Sequence, residues 1–243
     1  QDQGREIVIR SAPPAGTYLR QRGKDMKVGD LVIQKGQRVT PPVCGILATL
    51  GQVAVPVVRK PIVALVTSGN EVVMPFENPE PWQVRNANTS VLLAQILEAG
   101  GTPVELGIAR DDGDDARKKF EMAIDIADIV VTSGGISMGK KDPFIDAFRK
   151  LGVEEKVHGV ALKPGKPFFF GRFRNKPVFG LPGNQASCSV TFEILVRPFI
   201  RAILQDPQSA RKTLFLPLKN GTKNSTGRDH FMRARLITED GQR

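Results

Sequence analysis

The chain has 243 residues, of which 40% are apolar and 25% are charged, the balance of an ordinary globular protein. This composition argues against intrinsic disorder, and no apolar run reaches the roughly 18 residues that a membrane helix needs. The formal net charge of +10 and the pI near 9.9 will attract anions. A phosphorylated small molecule, a nucleic acid and a merely solvated basic surface are all compatible with that charge.

Nucleic acid is the weaker of the two ligand hypotheses. The basic residues are scattered along the chain, and one Trp and one Tyr leave little aromatic surface for stacking on bases. We therefore expect at most weak, sequence-independent binding, with an affinity that falls steeply as salt is raised.

The start of the chain and the cysteines bear on the compartment. No positively charged leader with an apolar stretch opens the sequence, which favours the cytoplasm. Gln1 is not a natural first residue, so we expect a fragment whose true N-terminus is missing. Cys44 and Cys188 lie among apolar residues without CxxC spacing, which predicts reduced, structural thiols rather than a disulfide or a metal site.

Residues 1–59 are predicted to form part of a β-rich module. Short apolar stretches such as EIVIR and DLVIQKGQRV alternate there with turns rich in Pro and Gly. One short helix is expected in PPVCGILATLG, where Pro42 would begin the helix and Gly51 would end it.

From residue 60 to about 204, predicted strands alternate with predicted helices. Three segments are predicted strands: IVALVTS (62–68), TPVELGIA (102–109) and DIVVTS (128–133). The first is a near-continuous apolar run, as expected for a strand that is covered on both faces. This alternation predicts the α/β class, with a mostly parallel sheet flanked by helices.

The helices between these strands are predicted from their periodicity. In NTSVLLAQILEAGG, Asn88 is a candidate N-cap and two glycines end the helix. A further helix would begin at Asp142 and Pro143, and a long last helix would be kinked at Pro198. In DDARKKFEMAIDIA, helical spacing places one apolar face on Ala116, Phe120, Ala123, Ile124 and Ala127.

From about residue 205 the alternation stops. Strand-like pieces broken by NG, TG and DG predict the start of a C-terminal β module that ends, truncated, at Arg243.

Three polar glycine loops follow predicted strands: TSGNE (67–71), TSGGISMGKKD (132–142) and GLPGN (180–184). Because parallel strands bring their carboxyl ends to one edge of a sheet, we expect the loops to form a single cleft. Free backbone N–H groups and helix N-termini there suit a phosphate-bearing ligand. For 132–142, a tight turn with Asp142 as N-cap is an equally good explanation. None of the loops matches the P-loop or the usual dinucleotide pattern.

Taken in order, TSGNE, TSGGISMGKKD, LKPGKPFFFG and GLPGNQAS resemble the motifs of the molybdopterin molybdenumtransferases, the family of bacterial MoeA and the gephyrin E domain. The similarity extends through RQRGKDMKVGDLVIQKG upstream and GRDHFMRARL downstream, so it covers nearly the whole chain. It implies a molybdopterin-binding α/β domain at 60–204, between partial β-rich modules at 1–59 and 205–243.

The resemblance implies an enzyme of molybdenum cofactor biosynthesis. Adenylylated molybdopterin and molybdate would bind as substrates, AMP would be released, and a divalent cation, usually Mg²⁺, would assist. It also implies a homodimer and contact with a MogA-like adenylyltransferase, without a membrane or nucleic-acid partner.

The site residues implied by the resemblance follow from the positions of these motifs. Glu71 and Asp142 would be catalytic, metal-binding carboxylates, and Asn86 would occupy a third catalytic position. The alternatives are an exposed loop carboxylate for Glu71 and helix capping for Asp142. Lys163 and Lys166 would hold anionic oxygens. The other ligand-binding residues implied are Thr67, Ser68, Gly69, Ser133, Gly134, Gly135, Ser137, Pro182, Gly183, Asn184, Ser187 and Arg228.

Three positions depart from the family pattern. Asn86 stands where many members have an aspartate, Gly159 where a lysine is often found, and Gln185 where proline is common. An amide can hydrogen-bond but cannot supply charge to a metal, and His158 is a candidate cation in place of the lysine. Because of these departures, a protein that binds molybdopterin or a nucleotide without turnover remains an alternative. The net charge alone supports a further alternative, a nucleic-acid-binding regulator.

Overall fold

The computed structural model describes residues 10–111, 113–136, 142–206, 211–224 and 227–237. Contacts divide the chain into two units, with the division between Val53 and Ala54. Within the described ranges, no helix is both long and apolar enough to cross a membrane.

The first unit consists of turns and, in the part described, one helix, α1 (Pro41–Thr49). This helix begins one residue before the predicted start, with prolines at its first positions, where no intrahelical donor is needed. The EIVIR stretch lies outside the described residues except for Arg10, and DLVIQKGQRV forms no strand. An extended segment becomes a strand only when a neighbour pairs with its N–H and C=O groups, and no such pairing occurs in this described range.

The second unit contains a sheet and its flanking helices. Its strands, as far as the chain is described, are β1 (Ile62–Ser68), β2 (Val72–Val73), β3 (Val84–Arg85), β4 (Thr102–Ala109), β5 (Ile129–Ser133), β6 (Glu154–His158), β7 (Leu162–Lys163), β8 (Phe169–Phe173), β9 (Lys176–Leu181) and β10 (Asp229–His230). Its helices there are α2 (Ala87–Ala99), α3 (Gly113–Ile126), α4 (Pro143–Leu151), α5 (Gln185–Thr191), a π-helix (Phe192–Val196) and α6 (Arg197–Ile203).

The main sheet has the strand order β4-β1-β5-β9-β8-β6. β4, β1, β5 and β9 run parallel, whereas β8 is antiparallel to both of its neighbours. The prediction of a mostly parallel sheet is therefore confirmed. The carboxyl ends of β1, β5 and β9 lie side by side at one edge.

The central strands are buried on both faces. In β1, Val63 and Leu65 pack on the side of α2, while Ala64 and Val66 pack on the side of α3 and α4. Because both faces are covered by helices, the strand has an uninterrupted apolar sequence rather than an alternating one.

The predicted apolar face of α3 is confirmed. Phe120 is fully buried, and its ring lies 4.9 Å from that of Phe148 in α4 and 5.7 Å from that of Phe173 in β8, measured between centroids. Burial of such a ring contributes about 1.5–3 kcal/mol to the free energy of unfolding. The other members of the face are also buried: Ala116, Ala123, Ile124 and Ala127.

Two helix details differ from expectation. The N-cap of α2 is Asn86, whose side chain accepts a hydrogen bond from the backbone N–H of Thr89, so the prediction of Asn88 as cap is wrong. The long last helix passes through a π-helical turn just before Pro198. The wider turn accommodates the proline, which lacks an N–H and would clash in a regular helix.

The C-terminal segment is nearly without regular structure in the described ranges 211–224 and 227–237. Its two-residue strand β10 pairs in parallel with β7, with Asp229 opposite Leu162 and His230 opposite Lys163. The β module predicted at this end is represented there only by this pairing.

Asp128 ties the segment before β1 to the start of β5. Its two carboxylate oxygens accept hydrogen bonds from the Arg59 guanidinium, both at 2.8 Å, and one of them also accepts from the Ile62 backbone N–H at 2.7 Å. The guanidinium is the main cause of a lowered pKa at Asp128. The folded protein therefore holds a proton at Asp128 less tightly than the unfolded chain does.

We predict that Asp128→Asn destabilises the protein at pH 7 and that the difference disappears in acid. A lowered folded-state pKa gives a contribution that is complete above the ordinary aspartate pKa of about 3.9 and is lost as the pH falls through the folded value. Denaturant unfolding of parent and variant from pH 7 down to about 2.5 measures this. Asp125→Asn, in an exposed pair with Arg174, is the control with the smaller effect at pH 7. A difference independent of pH would contradict the assignment.

Candidate functional site

A cleft of about 630 Å³ lies at the edge where β1, β5 and β9 end. Each of these strands is followed by a loop that lines it: Gly69 and Glu71 after β1, residues 134–136 after β5, and residues 182–185 after β9. The expectation of one cleft at one sheet edge is thus met by the described parts of all three loops.

Most of the residues proposed from the sequence line this cleft, namely Thr67, Ser68, Gly69, Glu71, Asn86, Ser133, Gly134, Gly135, Asp142, Pro182, Gly183, Asn184 and Ser187. Lys163, Lys166 and Arg228 are not among the residues that line it. Ser137 lies outside the described residues.

The loop after β1 is closed by Glu71 folding back on Gly69. A side chain at Gly69 would bring its Cβ to 2.7 Å from a Glu71 carboxylate oxygen, and the φ of +140° at Gly69 also favours glycine. The backbone carbonyl of Glu71 accepts a hydrogen bond from the Val84 N–H at 2.8 Å. This bond brings the segment that carries Arg85 and Asn86 against the cleft.

The loop after β5 lies directly on Ser68. A Cβ at Gly134 would stand 2.8 Å from the Ser68 backbone oxygen, and one at Gly135 would stand 2.6 Å from the Ser68 Oγ. Both glycines have positive φ, +82° and +62°. The SGG sequence is therefore required by close approach of two backbones as well as by backbone conformation. The Ser68 Oγ itself is buried and has no hydrogen-bond partner in the described part of the chain.

Asn88 joins the other two loops. Its Nδ2 donates to the Ser133 Oγ at 2.9 Å and to the Gly183 carbonyl at 2.7 Å. The sequence predicts only a capping role for Asn88. Its position in the first turn of a helix beside the three strand ends is the signal that could have indicated the contact with Ser133 and Gly183. Asn88 thus fixes the spacing between the end of β5 and the loop after β9.

Two threonines and Asn86 connect β1 to α2. The hydroxyls of Thr67 and Thr89 are 2.8 Å apart and buried, and the Thr89 backbone N–H donates to the Asn86 Oδ1 at 3.1 Å. Asn86 is only 3% exposed. Asn86 therefore lies at the cleft as the N-cap of α2, and its amide supplies no carboxylate there.

Asp142 occupies the N-cap position of α4, and Pro143 follows at the first helical position, as predicted. Its side chain, however, makes no capping hydrogen bond. Asp142 also lines the cleft. Helix capping by its carboxylate therefore does not explain why an aspartate occupies this position.

Two charged residues of the cleft were missed in the sequence. Asp111, beyond the end of β4, exchanges hydrogen bonds with Asn70 through 3.2 Å and 3.1 Å contacts between side chains and backbone N–H groups. Arg85 lines the cleft and donates its Nε to the Pro75 carbonyl at 3.1 Å. Neither lies in a glycine loop, so only the packing of β4 and of the segment around β3 reveals them.

The cleft has oxygen ligands but no closed metal cage. Glu71, Asp111 and Asp142 line it, yet nowhere in the described ranges do three or more His, Cys, Asp or Glu side chains form a group able to hold a metal ion. Carboxylates that are not gathered into a cage suit Mg²⁺, which usually binds through one or two of them together with substrate phosphates.

The two cysteines have different environments. Cys188 in α5 is buried, and burial raises its pKa to about 11 against the opposing hydrogen bond with Ser133. Its thiol is neutral at physiological pH, in agreement with a structural role. Cys44 is also a free thiol, but it is exposed, although its neighbours in sequence are apolar. Those neighbours do not reveal on which side of α1 it lies.

The hairpin that carries Lys163 and Lys166 borders the cleft. The Val160 N–H donates to the Lys166 carbonyl at 3.0 Å, and the tip packs on α5, where a Cβ at Gly165 would clash with the Thr191 side chain. Pro167, the residue after Lys166, lines the cleft. Arg228 precedes β10 and is brought to the same hairpin through the pairing with β7.

This fold is that of a known family of α/β domains. Residues 64–202 match the family model described as a probable molybdopterin binding domain. The match covers the parallel strands and the three loops of the cleft.

Known relatives define the family more closely. Molybdopterin molybdenumtransferase of Bacillus subtilis is 37% identical over 189 residues, 78% of this chain and 44% of that protein. Molybdopterin molybdenumtransferase 2 of Mycobacterium tuberculosis H37Rv is 32% identical over 240 residues, 97% of this chain and 59% of that protein. The crystal structure of a molybdopterin biosynthesis MoeA protein from Pyrococcus horikosii superposes with a TM-score of 0.68 at 38% identity, covering 75% of this chain and 45% of that chain.

The chain belongs to the family described as a probable molybdopterin binding domain, and the curated relatives that it matches are named molybdopterin molybdenumtransferases. It spans about half the length of the curated relatives that it matches.

We predict that Gly134→Ala lowers the free energy of unfolding by roughly 1 kcal/mol or more, because a left-handed backbone and a 2.8 Å approach to Ser68 must both be relieved. Gly183→Ala is the matched control in the same cleft, since its Cβ would meet only Gly134 at an ordinary 3.6 Å. Denaturant unfolding of both variants measures the difference. Equal losses for the two would contradict the close-packing argument.

Proposed function

We propose that the protein is a magnesium-dependent molybdopterin molybdenumtransferase, which inserts molybdate into adenylylated molybdopterin with release of AMP in molybdenum cofactor biosynthesis. The observation that supports this most directly is the convergence of three strand-end loops on one cleft, in a chain whose relatives are named for this reaction.

Anionic parts of the substrate would bind where backbone donors and helix N-termini meet. The N-cap residues of α2 and α4, Asn86 and Asp142, both line the cleft, and the N-terminus of a helix carries partial positive charge. Arg85, which also lines the cleft, would add positive charge. Lys163 and Lys166 would add theirs from the bordering hairpin when a long substrate extends beyond it.

Glu71 and Asp142 are the residues that would hold the cation. Both are hard oxygen donors that line the same cleft, and the donor set fits an ion that shares its coordination with substrate phosphates. A magnesium ion in that position supplies neutralisation of the charge that develops on phosphate oxygens during cleavage of the phosphoanhydride. The chain's own contribution is to place two carboxylates beside helix ends that accept the anion.

We further propose a cytoplasmic homodimer that receives its substrate by contact with a MogA-like adenylyltransferase. This proposal extends the resemblance to the family.

A second candidate is a protein that binds molybdopterin or a nucleotide without turnover. Asn86 supports it, because the side chain at a position where many family members have an acid here serves as a helix cap. His158, the suggested replacement for a missing lysine at Gly159, lies 3.7 Å from Glu155 and packs its ring edge on Phe169 in β8. It is not among the residues that line the cleft.

We predict that Asp142→Asn reduces the rate of AMP release by at least about tenfold, equivalent to roughly 1.4 kcal/mol of transition-state stabilisation. Asparagine is nearly isosteric with aspartate, and the Asp142 side chain makes no capping hydrogen bond that could be lost, so thermal stability should hardly change, but the charge that a hard cation needs is lost. The assay follows AMP release by the full-length protein from adenylylated molybdopterin with molybdate at limiting magnesium.

Asp146→Asn is the matched control for this assay. It makes the same change one turn later in α4, at an exposed side chain 4.0 Å from Arg149. We expect AMP release within about twofold of the parent. Equal turnover by the Asp142 variant and the parent would remove Asp142 from the proposed site. Absence of AMP release by the parent itself would favour the binding protein without turnover.

A further inference from the structure

Asn86 carries an unsatisfied hydrogen-bond donor in the wall of the cleft. The residue lines the cleft and is 3% exposed, and its Nδ2 is buried with no partner among the residues that the structure describes. Buried amide groups in folded proteins are almost always paired, because an unpaired one retains the cost of its lost hydration. A partner supplied by a ligand accounts for the exception.

The orientation of this amide is determined by the helix. Thr89 needs an acceptor for its backbone N–H, and the Asn86 Oδ1 supplies it at 3.1 Å. The amide cannot be turned over without leaving that N–H opposite the NH₂ group. The polar atom of Asn86 that remains for a ligand is therefore Nδ2, a hydrogen-bond donor.

The surroundings of this donor favour an anion. Asn86 is the N-cap of α2, a helix of 13 residues, so its amide stands at the positive end of the helix dipole. The preceding residue, Arg85, also lines the cleft, although its Nε is bonded to the Pro75 carbonyl. The donor and the helix end act in the same direction on an oxyanion and oppose a cation, and the charge of Arg85 adds to their effect.

We propose that Asn86 is an anion-recognition residue, whose Nδ2 donates a hydrogen bond to a terminal oxyanion oxygen of the bound substrate, either a phosphoryl or a molybdate oxygen. An aspartate at this position could cap α2 equally well but would present only an acceptor to the ligand. The departure at this position thus changes its chemistry from attraction of cations to attraction of anions. The inference rests on the proposed function only for the choice of ligands.

Calorimetric titration of the full-length protein with AMP and, separately, with sodium molybdate tests the proposal. EDTA is present, so that no cation bridges ligand and protein. Asn86→Asp should weaken binding of at least one of the two anions by about tenfold or more, with a nearly unchanged melting temperature. The anion that is affected identifies the source of the oxygen.

Two further variants make the test specific. Asn86→Ser retains a capping oxygen but is too short to reach the same ligand atom, and it should weaken binding by about threefold or more without adding charge. Asn175→Asp makes the same change in charge at an exposed residue before β9, at the opposite end of that strand from the cleft, and should leave both affinities within about twofold.

The proposal is overturned if the parent binds neither anion, or if Asn86→Ser binds both as the parent does, whatever the effect of Asn86→Asp. Should the aspartate variant not fold, the serine variant decides the question alone. Failure of AMP release by a parent that binds AMP through Asn86 would count against the proposed transfer reaction and leave this inference intact.

Discussion

The parallel pairing of β4, β1, β5 and β9 is the constraint on which the rest of the structure depends. Parallel strands must be joined by crossovers, and here those crossovers include α2, α3 and α4, which cover both faces of the sheet. The same geometry brings all carboxyl ends to one edge, so the loops that leave β1, β5 and β9 meet there. A ligand site at this edge follows from the connectivity before any particular side chain is considered.

Close contact between loops gives the cleft its shape. Gly134 and Gly135 lie against Ser68 at distances that no larger residue permits, and Asn88 ties Ser133 to Gly183 across the gap. These contacts use the side chains of an asparagine and a serine to bridge elements that the sheet has already brought together. The remaining backbone donors and helix ends are left to face the cleft, which is a suitable arrangement for phosphate groups.

The cleft is lined by residues of both charges. Glu71, Asp111 and Asp142 are acidic, Arg85 is basic, and the N-terminus of α2 adds partial positive charge. A substrate that carries phosphates together with a magnesium ion would interact with both kinds of group. The proposed hydrogen bond from the Asn86 amide to an oxyanion would add to the positive character of the cleft.

Several elements could be predicted from the sequence with accuracy. The sequence predicts β1 at 62–68 and β4 at 102–109, and both strands have these bounds in the structure. It also predicts the five residues of the buried face of α3, and all five are buried. These predictions depend on local periodicity and on apolar runs, which reflect burial directly. The three glycine loops could also be recognised, because glycine-rich loops at strand ends mark close backbone approach.

Other features were decided only by tertiary structure. Whether Asn86 or Asn88 caps α2 depends on the position at which the chain leaves β3. Asp111 reaches the cleft only because β4 lies beside β1. Strands predicted in the first 59 residues lack pairing in the described range, since a strand exists only with a neighbour. The sequence alone thus determined which segments are buried and which loops are open. The neighbours of each segment, and hence the side chains that share a cleft, were determined by strand order, which no local pattern contains.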